Sequence, residues 1–102
     1  MASSKEYLTY VLDLLSSVEN ITYRSMMSEY ILYIQGKVFG GIYDDRFLIK
    51  PTKSVLKKIE NPRYELPYEG AKKMVLVDSE DREFIRDLIE SMEPELKKGK
   101  RS

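Results

Sequence analysis

The chain contains no cysteine and no histidine. Their joint absence removes thiolate and imidazole nucleophiles, histidine general bases, disulfides, and nearly every usual zinc, haem or iron–sulfur ligand set. No apolar run approaches the roughly 20 residues that a membrane-spanning helix needs, so no membrane partner is expected. The first residues, MASSKEY, offer neither a basic stretch nor an apolar core of the kind a secretory signal requires. A cytoplasmic location is the expectation. Lysine plus arginine number 17 and aspartate plus glutamate 17, and this balance argues against the broad electropositive field of a nonspecific nucleic-acid binder.

The length suits one domain with one core, expected over residues 1–96, with 97–102 as a basic frayed tail. Ser3 and Glu6 have the spacing of a capping box, and Leu8, Val11, Leu12, Leu15 and Val18 recur with helical period, which predicts a first amphipathic helix ending near Ser17. Tyr7, Tyr10 and Leu14 widen its apolar arc. Glu29–Ile34, Lys37–Ile42 and Phe47–Lys50 are rich in β-branched and aromatic residues and are separated by Gln35-Gly36 and Asp44-Asp45, so they read as an antiparallel meander. Met26-Met27 just before it reads as a hydrophobic plug.

Pro51 ends the third of these strands. Thr52 or Ser54 can cap a short helix using Val55, Leu56 and Ile59. Residues 63–73 read as an irregular connection, and Met74–Val77 as a strand returning to the sheet. Asp78 or Ser79 is expected to cap a final helix whose buried stripe is Phe84, Ile85, Leu88, Ile89 and Met92. The whole is an α+β, two-layer domain, with helices from both ends of the chain packed on an antiparallel sheet.

Two features of the meander bear on function. Gly40-Gly41 inside a strand weakens it, so the pair should mark a bulge or a place where a helix backbone or a partner comes close. Ile31 and Tyr33 alternate with Tyr30, Leu32 and Ile34, so both faces of the second run are apolar. Either both faces are covered, or one is a partner surface such as a dimer interface.

Asp44-Asp45 is better explained by the demands of a turn than by metal or acid–base chemistry. The glycines lie within hairpins and do not form a phosphate-binding loop. No catalytic, cofactor-binding or metal-ligating residue is assigned, and the enzyme reading is weak, its remaining form being a nucleic-acid-modifying activity.

The order of Arg24, Met26, Tyr30, Gly36, Phe39-Gly40-Gly41, Asp44, Leu48 and Lys50, followed by Pro67-Tyr68, resembles the N-terminal domain of the TfoX/Sxy family, known as regulators of natural competence. Ser28-Glu29 departs from the glycine pair of the longer family members. The C-terminal domain of those members has no counterpart, so a stand-alone N-terminal domain is expected. The resemblance implies the two-layer α+β fold and a link to transcriptional control of DNA-uptake genes in company with the cyclic AMP receptor protein.

The expected function is therefore a non-enzymatic interaction domain acting through protein contact in transcriptional regulation, as a homodimer. Arg24, Glu29, Tyr30, Tyr33 and Lys50 are the candidate interaction residues. The alternative is nucleic-acid binding through Lys50, Lys53, Lys57, Lys58 and the Lys72-Lys73 pair, interleaved with tyrosines.

Overall fold

The structure is a computed structural model that describes residues 4–27 and 29–96. Ser3 and the 97–102 tail, both invoked above, lie outside the described residues. The elements are α1 (Lys5–Leu14), β1 (Ile21–Met26), β2 (Glu29–Ile34), β3 (Lys37–Ile42), β4 (Phe47–Ile49), α2 (Lys53–Lys58), β5 (Tyr64–Glu65), β6 (Met74–Leu76) and α3 (Arg82–Met92), followed by a single 3-10 turn, Glu93–Glu95. The six strands form one antiparallel sheet in the order β1-β2-β3-β4-β6-β5. The α+β reading holds, with all three helices packed against one face of the sheet.

Each helix starts at a side-chain cap. Ser4 Oγ accepts from Tyr7 N at 3.1 Å and begins α1. Thr52 caps α2, and Asp81 Oδ1 accepts from both Glu83 N and Phe84 N at the head of α3. The third cap corrects the expectation of Asp78 or Ser79. Ser79 instead steadies the approach, its Oγ accepting from Asp81 N at 3.1 Å. The first helix also stops at Leu14, short of Ser17, and the turn that follows still buries Leu15 and Val18.

Leu8, Val11 and Leu14 of α1, Val55 of α2, and Ile85, Leu88, Ile89 and Met92 of α3 meet Leu32, Ile34, Phe39, Ile42, Phe47, Ile49 and Val75 of the sheet in one core. A buried aliphatic or aromatic side chain of this kind contributes about 1.5–3 kcal/mol relative to exposure. Leu56, expected in the α2 stripe, is instead 41% exposed. Polar links complete the helix layer. Ser54 Oγ donates to Ser91 O at 2.9 Å, Lys58 pairs with Asp87 at 2.9 Å, and Arg82 pairs with Asp13 between α3 and α1. Lys37 Nζ, at the start of β3, reaches Glu93 at 2.5 Å.

The meander turns tightly. Gln35 (φ 52°) and Gly36 (φ 78°) join β2 to β3, and Asp44 (φ 54°) and Asp45 (φ 56°) lead from β3 to β4. Tyr43 and Arg46 exchange both backbone bonds across the second turn, at 2.9 and 3.0 Å. Two consecutive left-handed residues make a type I′ turn, whose twist matches that of the flanking strands. Met26 pairs with Glu29 across another tight connection, in which Met27 takes φ 50°.

β1 was not anticipated. ITYRSM carries little of the alternation that marks a half-buried strand, because Thr22 through Met26 are all exposed. Met26 and Met27, read as a plug, are 50% and 92% exposed. Tyr64–Glu65, read as irregular, forms the short edge strand β5 against Val75 and Met74.

The bulge expected at Gly40-Gly41 is present, but what comes close there is neighbouring strand backbone and the Tyr43 ring, not a helix. The β2–β3 register shifts between Leu32 and Tyr33, so β3 carries a bulge beside Gly40. A methyl group at Gly40 would run into the Leu48 carbonyl and come within 2.9 Å of Ile49 Cα. At Gly41 it would lie 2.7 Å from both Tyr30 O and the Tyr43 ring. Gly40→Ala should therefore destabilise the fold by about 1–3 kcal/mol or more through overpacking, whereas Gly36→Ala, with open space but a positive φ, should cost about 1 kcal/mol. Urea denaturation of both variants checks the ranking, and equal midpoints would refute it.

Candidate interaction face

With the helices on one side, the other side of the sheet is covered only in part. Along β2 the exposure alternates: Tyr30, Leu32 and Ile34 are buried, while Glu29, Ile31 and Tyr33 are half-exposed. Ladder partners share a face. The open side therefore carries Thr22, Arg24 and Met26 from β1, Ile31 and Tyr33 from β2, Val38 and Gly41 from β3, and Leu48 from β4.

Over β4 this side is closed by the chain's own return. Leu48 is fully buried although it lies outside the helix-side core. The Tyr43 ring lies against Gly41, which explains why that position carries no side chain. Tyr68 meets Tyr43 at 6.2 Å between ring centroids. Arg46 ties down the covering segment: Nη1 donates to Glu65 Oε1 at 2.8 Å, Nη2 to Pro67 O at 3.4 Å, and Nε to Tyr43 O at 3.0 Å. Arg63 adds a longer contact to Glu65, at 3.4 Å. An open cleft of about 660 Å³ remains between this segment and the sheet, lined by Val38, Tyr43, Lys50, Tyr68, Lys72 and Met74 among others.

Burial holds the Tyr43 phenol above its ordinary range, with Tyr68, Glu29 and Tyr33 adding to the effect. Burial also raises Tyr7, where the Tyr10 phenol reinforces it.

The candidate interaction residues are dispersed. Tyr30 is 9% exposed and belongs to the helix-side core, with its ring edge-on to Tyr23 at 6.0 Å, which corrects its assignment as a surface residue. Tyr33 and Arg24 lie on the open side. Glu29 serves the neighbouring hairpin, its Oε1 accepting from Asp44 N at 3.1 Å. Arg24 on β1 and Lys50 just beyond β4 are separated by β2 and β3, about three strand spacings or ~14 Å. They do not converge on one point.

The lysines divide into two sets. Lys50, Lys72 and Lys73 line the open-side cleft, and Lys73 Nζ stands 4.2 Å from the Tyr64 ring centroid. Lys57 and Lys58 line a separate cavity of about 670 Å³ with Arg63, Asp78 and Phe84, while Lys53 is exposed at the start of α2. Arg46 was not singled out from sequence, since its role depends on Glu65 and Pro67, which only the fold brings near. Among the described residues no group of three or more acidic side chains could hold a metal ion. No described helix is long and apolar enough to cross a membrane.

These features define a small α+β domain with one face of its sheet covered by helices as far as β2 and the other partly bare. The family model for the TfoX N-terminal domain matches residues 13–89, from the last two residues of α1 into α3 and including every strand. The chain belongs to that family, and it is a domain of the kind found in competence regulators. A protein of Spirochaeta aurantia described as an "Uncharacterized 12.7 kDa protein in trpE 5'region" is 34% identical over 91 residues, spanning 87% of this chain and 79% of its own. No solved structure matches the chain.

Two expectations follow. Arg46→Ala should release the covering segment, so that tryptic cleavage after Lys72 and Lys73 accelerates severalfold while the helix layer stays folded; unchanged cleavage would show that the arginine contacts do not hold it. A phenol whose folded value is raised contributes stability that is intact below its unfolded value and is lost as pH climbs through its folded one. Tyr43→Phe should therefore flatten the fall in melting temperature above about pH 10, and parallel alkaline limbs for the two proteins would exclude a contribution from Tyr43.

Proposed function

We propose that this chain is a non-enzymatic interaction module that acts through protein contact in transcriptional regulation, in a competence-type setting and as a homodimer. The carrying observation is the bare part of the sheet, where Ile31, Tyr33 and Val38 stay half-exposed on a face that the helices do not cover. Such a surface suits the apolar centre of a protein interface, and Tyr33 adds a rigid ring with a polar tip. Its charged members stand apart, which suits a rim better than a reaction centre. Family membership supports the regulatory setting, with the transcription machinery or the cyclic AMP receptor protein as partner.

The test is a transcriptional reporter for DNA-uptake genes in a host supplied with the chain, alongside direct titration against the cyclic AMP receptor protein. Tyr33→Glu should reduce the reporter response and the binding at least tenfold while shifting the melting temperature by no more than a few degrees. A variant as active as the parent would remove the open face from the function.

One observation favours a second reading. Lys50 and Lys72 line the same cleft as Tyr43 and Tyr68, a combination of cation and aromatic that suits single-stranded nucleic acid. Titration of labelled single-stranded DNA and RNA at low salt should then show binding that falls steeply with added salt and is lost in a Lys72→Glu, Lys73→Glu double variant. No shift with either ligand would eliminate it.

A further inference from the structure

β1 and β5 form the two edges of the sheet, and they are managed differently. β5 is two residues long, and a very short edge strand offers little to a pairing chain. β1 has six residues in unbroken register with β2, from Ile21 opposite Ile34 to Met26 opposite Glu29. It contains no proline, lysine or bulge, and Arg24 is its one charge. Neither of its faces is covered from Thr22 onward. Tyr23, Met26 and the adjoining Met27 are among the exposed large apolar side chains of the described residues. Natural sheets usually blunt an edge of this length, and this one is left open.

The ladder fixes which backbone groups face outward. Gln35 N donates to Asn20 O at 3.0 Å, so Asn20 and Gln35 form a hydrogen-bonded pair, and such pairs alternate along antiparallel strands. Thr22, Arg24 and Met26 therefore direct their N–H and C=O groups toward β2. Ile21, Tyr23 and Ser25 direct theirs to the free edge.

We infer that this edge pairs with β1 of a second copy, antiparallel about a twofold axis at Tyr23, so that the two sheets become one. The inference rests on the homodimer proposed above and gives it an interface. An antiparallel twofold pairing matches outward residues with outward residues, and centring it on Tyr23 uses all of them. Tyr23 faces its own equivalent, and Ile21 and Ser25 face each other twice. Each pair exchanges two backbone bonds, about six in all.

In this register Arg24 lies opposite Thr22 of the second copy. A register displaced by two residues toward the C-terminal end would set Arg24 against Arg24, a like-charge pair on directly opposed positions. The two Tyr23 rings meet on the helix side, where each already packs edge-on against Tyr30. β1, which among the described residues brings only Ile21 against the core, thereby gains a second ladder.

Sedimentation of the full chain at micromolar concentration is expected to give the mass of a dimer. Ser25→Pro deletes an outward N–H and no bond to β2, a position where an edge strand tolerates proline, and should yield a folded monomer. In the parent, hydrogen exchange should show Tyr23 and Ser25 amides protected, with protection growing as the protein is concentrated. This second readout stands even if the proline variant does not fold. A monomeric parent would overturn the dimer itself. A dimer whose Tyr23 and Ser25 amides exchange freely, or which survives in folded Ser25→Pro, would overturn the interface while leaving the dimer reading intact. A monomeric parent whose edge amides become protected only when the cyclic AMP receptor protein is added would assign the edge to a different chain and overturn the pairing with a second copy.

Discussion

The close packing around Gly40 and Gly41 of β3 is the constraint on which the rest of the structure depends. At Gly40 the β4 backbone occupies the space where a side chain would stand, and at Gly41 the Tyr43 ring does. The first contact lets a bulged strand stay in register with β4, which carries Phe47 and Ile49 into the helix-side core. The second lets the Tyr43 ring lie against Gly41 on the opposite side, where Tyr68 meets it. Both layers of the domain are thus organised around two positions that contribute no side chain.

Coverage of the sheet is unequal for a related reason. The helices span β2, β3, β4 and β6 on one side, and the 66–73 segment closes the other side only over β4 and its neighbours, held by Arg46. Ile31 and Tyr33 lie beyond its reach, Val38 borders the cleft at its margin, and β1 from Thr22 onward lies beyond the reach of either cover. Solvent exposure therefore rises steadily from β4 toward the β1 edge. The surfaces offered here for contact, the bare face and the open edge, are both products of that gradient.

Much of this was legible in the sequence where local chemistry decides structure. The second, third and fourth strands, their two-residue turns, the glycine pair, α2 and the α3 stripe all follow from periodicity and turn chemistry. β1 escaped because a strand with neither face buried has no reason to alternate, and alternation is the signal by which strands are read. Asp81 was passed over as a cap because Asp78 and Ser79 satisfy the same composition rule, and only the path of the chain selects among them. At the site, alternation put Tyr30 and Tyr33 on opposite faces without saying which face the helices cover. A phenol on an apolar strand does not reveal that choice, and the structure buries Tyr30 and leaves Tyr33 on the open side. The tether from Arg46 to Glu65 and Pro67 joins residues remote in sequence and had no local signature.

The tight turns have a consequence for the order of folding. From β1 to β4 every pairing joins strands adjacent in the chain, and each is closed by a connection of a few residues. Such hairpins form on the microsecond scale, since little loop entropy is lost before the first contacts are made. Leu48 can meet Leu76 only after α2, β5 and the intervening loop have been gathered in. Topology therefore favours early formation of the four-strand meander and later pairing of β6 with β4.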